Sequence, residues 1–600
     1  MSNINPGRFT TRPEIQGTFG VVSTTHWIAT AVGMSILERG GNAFDAGCAA
    51  AFALQVVEPH LNGPAGDAPL ILHAAGAPEA EVICGQGPAP AGLTAAHCRD
   101  LGLDLIPGTG MLAACVPGTF DALMLMLLRH GSMGVSDVLA PAIGYARHGQ
   151  PIVERTAATI RTVEGLFRDH WTTSADVYLP NGAVPEPGTL FRNPALADTY
   201  ERIAREAEAA GSREAGIAAA RRAWSSGFVA EAIDRWCRTE DVMDVSGRAN
   251  RAVMTGDDMA GWEATVEAPV GLDYGRYRVL KAGFWSQGPV ALQQLALLKG
   301  FDLDRLDPTG PDFVHLVVEA SKLAFADREA FYGDPAHVPV PGDVLLSDSY
   351  NAERRALIGS RASTELRPGT IPGFGGPVDA RATDEGRVAV GSSGAGEPTV
   401  GRLGTTRGDT VHFDVVDRWG NMVAATPSGG WLQSSPVIPS LGFGLGTRAQ
   451  MFWLEDGRPS SLAPGRRPRT TLSPTLALRD GKPYLAWGTP GGDQQDQWIP
   501  QFFLRHVHAG MNLQEAIDAP AWHSEHFPSS FWPRKSRPNR LVVESRLPAA
   551  TVEELRRRGH ALEVGDPWSE GRLVAASRDP DGLMRAGANP RGMQGYAAGR

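Results

Sequence analysis

Hydrophobic and polar residues alternate from residue 410 onward, directly after a Gly-, Pro- and Ser-rich tract, 360–409, that has no apolar period. An alternation of two residues is typical of a half-buried β-strand. Turn residues at 417–421 and a second apolar run at 422–425 follow, so the pattern predicts a β-hairpin. The apolar side of the first strand comprises Val411, Phe413 and Val415, and the polar side comprises Thr410, His412 and Asp414.

Elsewhere the chain mixes helical and strand patterns. Apolar residues recur with helical spacing most clearly over 313–331, and the segment 137–240 is mainly helical. Asn42 is expected to cap an alanine-rich helix over 43–57, which ends before a Glu-Pro pair. Paired strands flanked by helices indicate layered α and β structure. The other predicted strands are 20–23, 69–72, 81–84, 277–280, 475–478, 483–487, 541–544 and 573–577.

Composition narrows the class of protein. The 600 residues are 42% hydrophobic and 20% charged, which suits a globular protein with a large core. The net charge of −10 and the absence of a basic block argue against a nucleic-acid partner. Five cysteines without CxxC spacing indicate neither a disulfide framework nor a zinc site, and no other metal or cofactor motif occurs. Residues 1–20 lack an apolar signal core, and no apolar run is long enough to span a membrane, so we expect a cytoplasmic enzyme.

Thr410 stands where a flexible tract meets a strand. Cleavage of the preceding peptide bond would give Thr410 a free α-amine, whose ordinary pKa is about 7.7–8.0. Such an amine accepts the proton of the threonine's own hydroxyl near neutral pH and so makes the hydroxyl a nucleophile. The alternative interpretation is an ordinary strand threonine, because β-branched residues are common in strands.

Several short motifs together resemble the γ-glutamyltransferase (γ-glutamyltranspeptidase) family, in the order in which that family has them and over nearly the whole chain. The resemblance implies an N-terminal nucleophile hydrolase, an α+β protein with a four-layer αββα sandwich. The matching motifs are Ile36–Ala46, Val56–His60, Val116–Thr119, Leu323–Arg328, Gly333–Pro335, Thr410–His412, Val415–Asp417, Ser473–Thr475 and Gly488–Gly492.

The resemblance also implies a proenzyme that is cut before Thr410. The large subunit would be 1–409, with 360–409 as a mobile connector, and the small subunit would be 410–600. The two subunits would stay together as a heterodimer and form one structural domain. Whether two heterodimers associate further is left open by the sequence.

Catalytic roles follow from the same resemblance. Thr410 would be the nucleophile, and the N–H groups of Gly491 and Gly492 would stabilise the oxyanion of the tetrahedral intermediate. In isolation the glycine pair equally predicts a tight turn. Ser428 lies where the family has a second threonine, so its hydroxyl can hydrogen-bond to the Thr410 amine or hydroxyl.

Substrate-binding residues depart from the family pattern. Thr470 and Thr471 replace a hydroxyl pair that helps to bind the α-carboxylate of the acyl donor. Direct counting puts Ala95 where the family has a carboxylate-binding arginine, and Arg99 fits that role only with an insertion; a surface charge is the alternative for Arg99. Trp453 suits a bulkier or more apolar acyl group, with core packing as the alternative.

Two further departures concern the donor's amine and a loop. The acid that binds the donor's α-amine follows a Gln-Met pair in the family, whereas Gln450-Met451 is followed here by Phe452-Trp453. The loop 63–67 alters the family's glycine run, and taken alone it predicts a plain turn. A zwitterionic donor needs both of its charges paired in a partly desolvated pocket. The sequence therefore predicts retained chemistry with altered recognition of glutamate.

Three hypotheses for function follow. The first is an autoprocessing threonine amidohydrolase or acyltransferase that cleaves γ-glutamyl or related small-molecule amides through an acyl-Thr410 intermediate. The second is an amidase or acylase that acts on a non-glutamyl N-acyl substrate, as in the acylase and oxamate amidohydrolase members of the family. The third is a non-catalytic relative that remains one chain. The natural donor, the acceptor and the balance between hydrolysis and transfer are not specified by the sequence.

Overall fold

A computed structural model describes residues 9–378 and 410–600 of the protein. Thr410 is therefore described, whereas Asp409 and most of the predicted connector 360–409 lie outside the described residues. None of the helices in these two ranges combines the length and the apolar character of a membrane span.

The strands fall into two large sheets and three small ones. In chain order they are β1 (Ile15–Gly17), β2 (Gly20–Thr24), β3 (Ala68–His73), β4 (Glu81–Gly85), β5 (Gln150–Pro151), β6 (Leu190–Phe191), β7 (Asp241–Met243), β8 (Ala249–Arg251), β9 (Thr265–Glu267), β10 (Val270–Tyr274), β11 (Tyr277–Lys281), β12 (Phe413–Asp417), β13 (Met422–Ala425), β14 (Thr475–Arg479), β15 (Lys482–Gly488), β16 (Trp522–Ser524), β17 (Arg540–Glu544), β18 (Ala561–Gly565), β19 (Val574–Arg578), β20 (Met584–Ala588) and β21 (Tyr596–Gly599).

Both large sheets have seven strands and draw them from both sides of residue 410. Sheet I has the order β1-β20-β19-β15-β14-β11-β10, and sheet II has the order β21-β2-β12-β13-β3-β4-β9. All of the pairs within these two sheets are antiparallel. The small sheets are β16-β17-β18, β5-β6 and β7-β8.

The described residues contain eighteen α-helices. In chain order they are α1 (Trp27–Glu38), α2 (Ala43–Val57), α3 (Ala95–Asp100), α4 (Thr119–His130), α5 (Val135–His148), α6 (Glu154–Asp169), α7 (Thr172–Tyr178), α8 (Pro194–Glu208), α9 (Arg213–Ser225), α10 (Phe228–Thr239), α11 (Gly256–Ala260), α12 (Pro289–Leu298), α13 (Pro311–Phe331), α14 (Gly342–Leu345), α15 (Asp348–Arg355), α16 (Gln495–Val507), α17 (Leu513–Asp518) and α18 (Ala549–Arg557).

Three apolar clusters give the molecule its layers. The α1 and α2 side of the molecule packs on the outer face of sheet II, and α12, α13 and α16 pack on the outer face of sheet I. A third cluster lies between the sheets, where residues such as Val416 and Met422 of sheet II meet Leu476 and Ala486 of sheet I. The predicted four-layer αββα sandwich of the α+β class is therefore confirmed.

The strand predicted to start at Thr410 begins three residues later, at Phe413. The hairpin pairs Phe413 with Ala425, and the same register carries Thr410 opposite Ser428 as an isolated bridge. Between these pairs Val411 donates to the carbonyl of Pro427 at 3.0 Å. Because proline has no N–H, the ladder is interrupted there and Thr410 sits just outside the regular strand.

Candidate active site

Thr410 lies at the buried end of the β12–β13 hairpin, with only 1% of its surface exposed. Its hydroxyl donates to the Ser428 hydroxyl, with 3.2 Å between the oxygens. The backbone of Ser428 pairs in both directions with the backbone of Asp67, at 2.8 and 2.9 Å. The structure thus brings together two of the residues singled out from the sequence, Thr410 and Ser428, and adds Asp67 beside them.

The loop 63–67 is more than the plain turn that its residues suggest. A side chain at Gly63 would stand 2.1 Å from the Gly430 carbonyl oxygen, and one at Gly66 would stand 2.0 Å from the Ser428 carbonyl oxygen. Only glycine permits backbone segments to approach this closely. The loop therefore fixes Ser428, and through Ser428 it fixes the surroundings of Thr410.

His412 occupies the polar side of the same segment and is fully buried. Its Nδ1 hydrogen-bonds to the Thr426 hydroxyl at 2.8 Å, and its Nε2 hydrogen-bonds to Asp414 at 3.0 Å. A side chain at Gly488, the last residue of β15, would meet the His412 ring at 2.3 Å. Burial raises the pKa of Asp414 to about 6, while the charge and hydrogen bond of His412 partly oppose this shift. These contacts hold the imidazole in one orientation between the two large sheets.

The Gly491-Gly492 turn follows β15 after Thr489 and Pro490. The backbone of Gly491 has φ 126°, and a side chain there would lie 2.4 Å from the Trp498 ring. Among the described residues, neither of the two N–H groups donates a hydrogen bond. The turn that the sequence predicts is present, and it presents two unpaired donors of the kind that an oxyanion requires.

A buried network holds this turn in place. The side-chain amide of Gln287 donates to the Gly492 carbonyl at 3.0 Å and accepts from Arg328 at 2.9 Å. Arg328 also pairs with Asp493, the next residue after the turn. Asp493 in turn accepts hydrogen bonds from the backbone and hydroxyl of Ser530, at 2.7 and 2.6 Å.

Thr470 links the turn to the Thr410 side of the site. Its hydroxyl donates to Asp67 at 3.4 Å, and its carbonyl accepts from the backbone N–H of Gln287 at 2.8 Å. Thr471 is buried, and its hydroxyl has no hydrogen-bond partner among the described residues. A continuous chain of contacts therefore runs from Thr410 through Ser428, Asp67, Thr470 and Gln287 to Gly492.

The family model for γ-glutamyltranspeptidase matches residues 29–599. The chain belongs to the γ-glutamyltranspeptidase family. Membership makes the protein an enzyme, an amidohydrolase of the N-terminal nucleophile class.

Three family relatives illustrate the breadth of the match. The chain is 30% identical to the glutathione hydrolase-like YwrD proenzyme of Bacillus subtilis, over 97% of this chain and 99% of that protein. It is 57% identical to the solved structure of LmbA2991HD, with a TM-score of 0.91 over 99% of this chain and 100% of that one. The cephalosporin acylase of Bacillus halodurans is 28% identical, with a TM-score of 0.81 over 100% of this chain and 99% of that one.

An arginine that sequence reasoning missed lies within the site of this γ-glutamyltranspeptidase relative. Arg448 is buried and pairs with Asp67 at 2.9 Å, and its guanidinium lies 5.5 Å from the Trp431 ring. Its Nη2 lies 3.6 Å from the position of a side chain on Gly429, next to Ser428. In the sequence, Arg448 lies two residues before the Gln450-Met451 pair, close to the place where the family has an acid. Its proximity to Ser428 is visible only in the folded structure.

Arg99 and Trp453 lie in different surroundings. Arg99 is half exposed in α3 and donates to the Leu454 carbonyl at 2.6 Å and to Asp456 at 3.0 Å. No contact between described residues joins it to Thr410 or to the glycine turn. Trp453 is buried, and the guanidinium groups of Arg458 and Arg534 lie 4.4 and 4.2 Å from its ring. Both substrate-binding roles stay predictions.

One group of side chains in the described ranges has the spacing of metal ligands. The ligand atoms of His315, Glu319 and His560 lie within 4.8 Å of one another. His315 and His560 hydrogen-bond to each other at 2.9 Å, and Glu319 pairs with Lys322 at 2.8 Å and with Arg367 at 3.3 Å. Because these cations already neutralise the carboxylate, the group is poorly suited to a divalent metal ion.

Proposed function

We propose that Thr410 is the nucleophile of an autoprocessing amidohydrolase that forms an acyl-threonine intermediate. The observation that carries the proposal is the buried Thr410–Ser428 hydroxyl pair, which the chain of contacts connects to the Gly491-Gly492 turn. In this reaction the α-amine of Thr410 takes the hydroxyl proton, and the oxygen attacks the amide carbonyl carbon. The N–H groups of Gly491 and Gly492 stabilise the oxyanion. The leaving amine departs with the proton, and water or another amine then accepts the acyl group.

Processing before Thr410 divides the chain into subunits 1–409 and 410–600. Strands β2, β3, β4 and β9 of sheet II come from the first part, and β12, β13 and β21 come from the second. Sheet I likewise takes β1, β10 and β11 from the first part and β14, β15, β19 and β20 from the second. Since every large sheet needs strands from both parts, the two subunits remain associated as a heterodimer after the cut.

The test of this proposal combines intact mass with a trapped intermediate. We expect the purified protein to separate into two chains, the smaller beginning at Thr410, and to gain one acyl mass on that chain when it is quenched during turnover of an amide. Thr410→Ala is expected to remain a single chain. Acylation elsewhere in the small subunit would contradict the proposal.

A specific observation favours a non-glutamyl acyl donor. Two carboxylates lie beside the site, one in the chain of contacts and one in the network that holds the glycine turn, and both already pair with an arginine: Asp67 pairs with Arg448, and Asp493 pairs with Arg328. A γ-glutamyl donor carries an ammonium group that needs an acidic partner when it is desolvated. We therefore propose N-acyl amides without that ammonium group as substrates.

Rates of cleavage distinguish γ-glutamyl donors from acyl donors that lack the ammonium group. Anilides of simple acyl groups and the γ-glutamyl anilide release the same chromophore, so their kcat/KM values compare directly. We expect the simple acyl anilides to be cleaved faster. Faster turnover of the γ-glutamyl anilide would contradict the non-glutamyl donor and leave the role of Thr410 intact.

A further inference from the structure

A cavity of about 360 Å³ lies at the end of the sandwich that is remote from Thr410. Its wall is formed by the β3–β4 and β12–β13 turns of sheet II and by the β14–β15 and β19–β20 turns of sheet I. Thr410 precedes β12 and the β12–β13 turn follows it, so a rise of about 3.3 Å per residue puts roughly 20 Å between the nucleophile and the cavity. The cavity is therefore separate from the candidate active site, and its volume suits a small molecule.

Arg578 reaches across this cavity from one sheet to the other. It is the last residue of β19 in sheet I, and its guanidinium carbon lies 3.7 Å from the position of a side chain on Gly420, in the β12–β13 turn of sheet II. Its Nε is buried without a hydrogen-bond partner, and no carboxylate of the described residues forms an ion pair with its guanidinium. An arginine with an unpaired edge can bind an oxyanion through two parallel hydrogen bonds.

The other charges of the wall leave the cavity positive. Of the described residues that line it, only Asp579 is a carboxylate, and Asp579 already pairs with Arg479 at 2.7 Å and with Arg585 at 3.2 Å. Lys482, like Arg578, has no ion-pair partner within the described ranges. The wall thus carries three cations against one carboxylate, in a protein whose net charge is −10. A concentration of positive charge on an acidic protein attracts anions to this cavity.

His73 and Trp419 add a polar atom and a ring to the wall. His73, at the end of β3, is only 6% exposed, and its Nδ1 has no hydrogen-bond partner among the described residues. Trp419, in the β12–β13 turn, is 48% exposed, and the Arg418 guanidinium lies 4.4 Å from its ring. An exposed indole is a surface on which a planar ring can stack. The cavity therefore combines unpaired polar groups with an aromatic surface.

We propose that this cavity binds a phosphate monoester that carries a planar ring, the chemistry that mononucleotides and aryl phosphates share. A phosphate monoester has a charge of about −1.5 to −2 at pH 7, which matches the excess of positive charge in the wall. Its oxygens accept hydrogen bonds from the free edge of Arg578, and its ring stacks on Trp419. The inference does not depend on acyl transfer at Thr410, because the cavity and the candidate active site share no residue.

Isothermal titration calorimetry of the purified protein with phenyl phosphate, adenosine monophosphate (AMP) and inorganic phosphate tests the site. We expect both esters to bind at least about 5-fold more tightly than inorganic phosphate, the factor for one stacked ring. Arg578→Gln should weaken the binding of both esters by about 10- to 100-fold, the range for a hydrogen bond to a charged group, and Arg578→Lys should restore part of it. Trp419→Ala should weaken both esters by about 5-fold or more and leave inorganic phosphate unchanged.

The two esters distinguish the two sources of this chemistry. Tighter binding of AMP than of phenyl phosphate would support the proposal with a mononucleotide as the ligand, and the reverse order would support it with an aryl phosphate.

Arg235→Gln provides the matched control. Arg235 lines a second cavity, of about 340 Å³, and it too has no ion-pair partner among the described residues. That cavity also has an aromatic ring, Phe228, but two carboxylates, Asp198 and Glu231, oppose its arginines. Arg235→Gln removes the same charge as Arg578→Gln, so it should leave the affinity for both esters unchanged. If the two substitutions weaken binding equally, the esters bind through general charge and the inference is wrong.

The exposed position of Trp419 keeps the test decisive if Arg578→Gln does not fold. Thermal unfolding checks each variant, and Trp419→Ala is expected to keep the wild-type midpoint because its side chain lies at the surface. Absence of binding of both esters to the wild type at millimolar concentration would overturn the proposal. Equal affinity of the wild type and Trp419→Ala for both esters would also overturn it, and either result would leave the role of Thr410 intact.

Discussion

Gln287 gives a sharp test of how the glycine turn is positioned. Its buried side-chain amide donates to the Gly492 carbonyl and accepts from Arg328, at 3.0 and 2.9 Å. Gln287→Leu has nearly the same shape and removes both hydrogen bonds. Gln287→Glu, when ionised, keeps an acceptor for Arg328 but has no N–H for the Gly492 carbonyl. Gln287→Glu compared with the wild type therefore isolates the contact with the turn, and the difference between the two variants reports the contact with Arg328.

The magnitudes follow from the two contacts. An unsatisfied buried carbonyl costs about 1–3 kcal/mol, and a lost hydrogen bond to a charged group costs about 1.5–3 kcal/mol. We expect Gln287→Leu to lower the free energy of unfolding by about 3–6 kcal/mol and Gln287→Glu by about 1–3 kcal/mol. Since deletion of one oxyanion donor slows catalysis by about 10²–10³-fold, a displaced donor should slow acylation by about 10-fold or more in both variants.

Urea unfolding of the processed protein measures the first quantity, and pre-steady-state release of p-nitroaniline measures the second. The rate of acylation should fall in both variants, with little change in KM, because Gln287 does not reach the substrate. Variants that lose stability but acylate at the wild-type rate would refute the reasoning, since Gln287 would then support the fold without positioning the turn.

Three further predictions concern the residues around Thr410. Ser428→Ala should slow acylation by about 2- to 12-fold, the factor that corresponds to the free energy of one neutral hydrogen bond. An unchanged rate would show that the 3.2 Å contact between the two hydroxyls does not contribute to acylation. Gly488→Ala should destabilise the protein to urea by about 1–3 kcal/mol because its Cβ meets the His412 ring, whereas Gly144→Ala, in open space on α5, should be neutral or stabilising. Burial raises the pKa of Asp414 to about 6, so the native state holds the carboxyl proton of Asp414 more tightly than the unfolded state does. The stabilising contribution of the protonated carboxyl is therefore lost as the pH rises from about 4 to 6. Asp414→Asn should flatten this part of the profile of unfolding free energy against pH, measured by urea unfolding, and an unaltered slope would contradict the prediction.

Local signals predicted much of the fold. Asn42 caps α2 through a capping box, and the helix spans Ala43–Val57 as its sequence indicates. The helix before it, α1, was harder to place: a threonine such as Thr24 is a common cap, but the strand β2 extends through Thr24 and His26 is the cap. The His26 ring nitrogen accepts from the Ile28 N–H at 3.2 Å, a capping role for which histidine has no strong preference, so propensity could not find it.

The candidate site was only partly accessible to the same reasoning. The contact between Thr410 and Ser428 was expected from the family resemblance, and the hairpin register about 417–421 leads to the same pair, although the interruption at Pro427 hides it from a strand pattern. The positions of Gln287 and Arg448 could not be predicted in this way, because the two residues come from different segments and meet the site only after the two sheets have packed. No local periodicity encodes such contacts.

The central claim is that a free amino group on residue 410 activates the side chain beside it. Its most direct measurement is N-terminal sequencing and intact mass of active protein, before and after a quenched turnover. The account predicts a small subunit of residues 410–600 that begins with threonine and carries the acyl group on that residue. An intact 600-residue chain that still hydrolyses amides would contradict it.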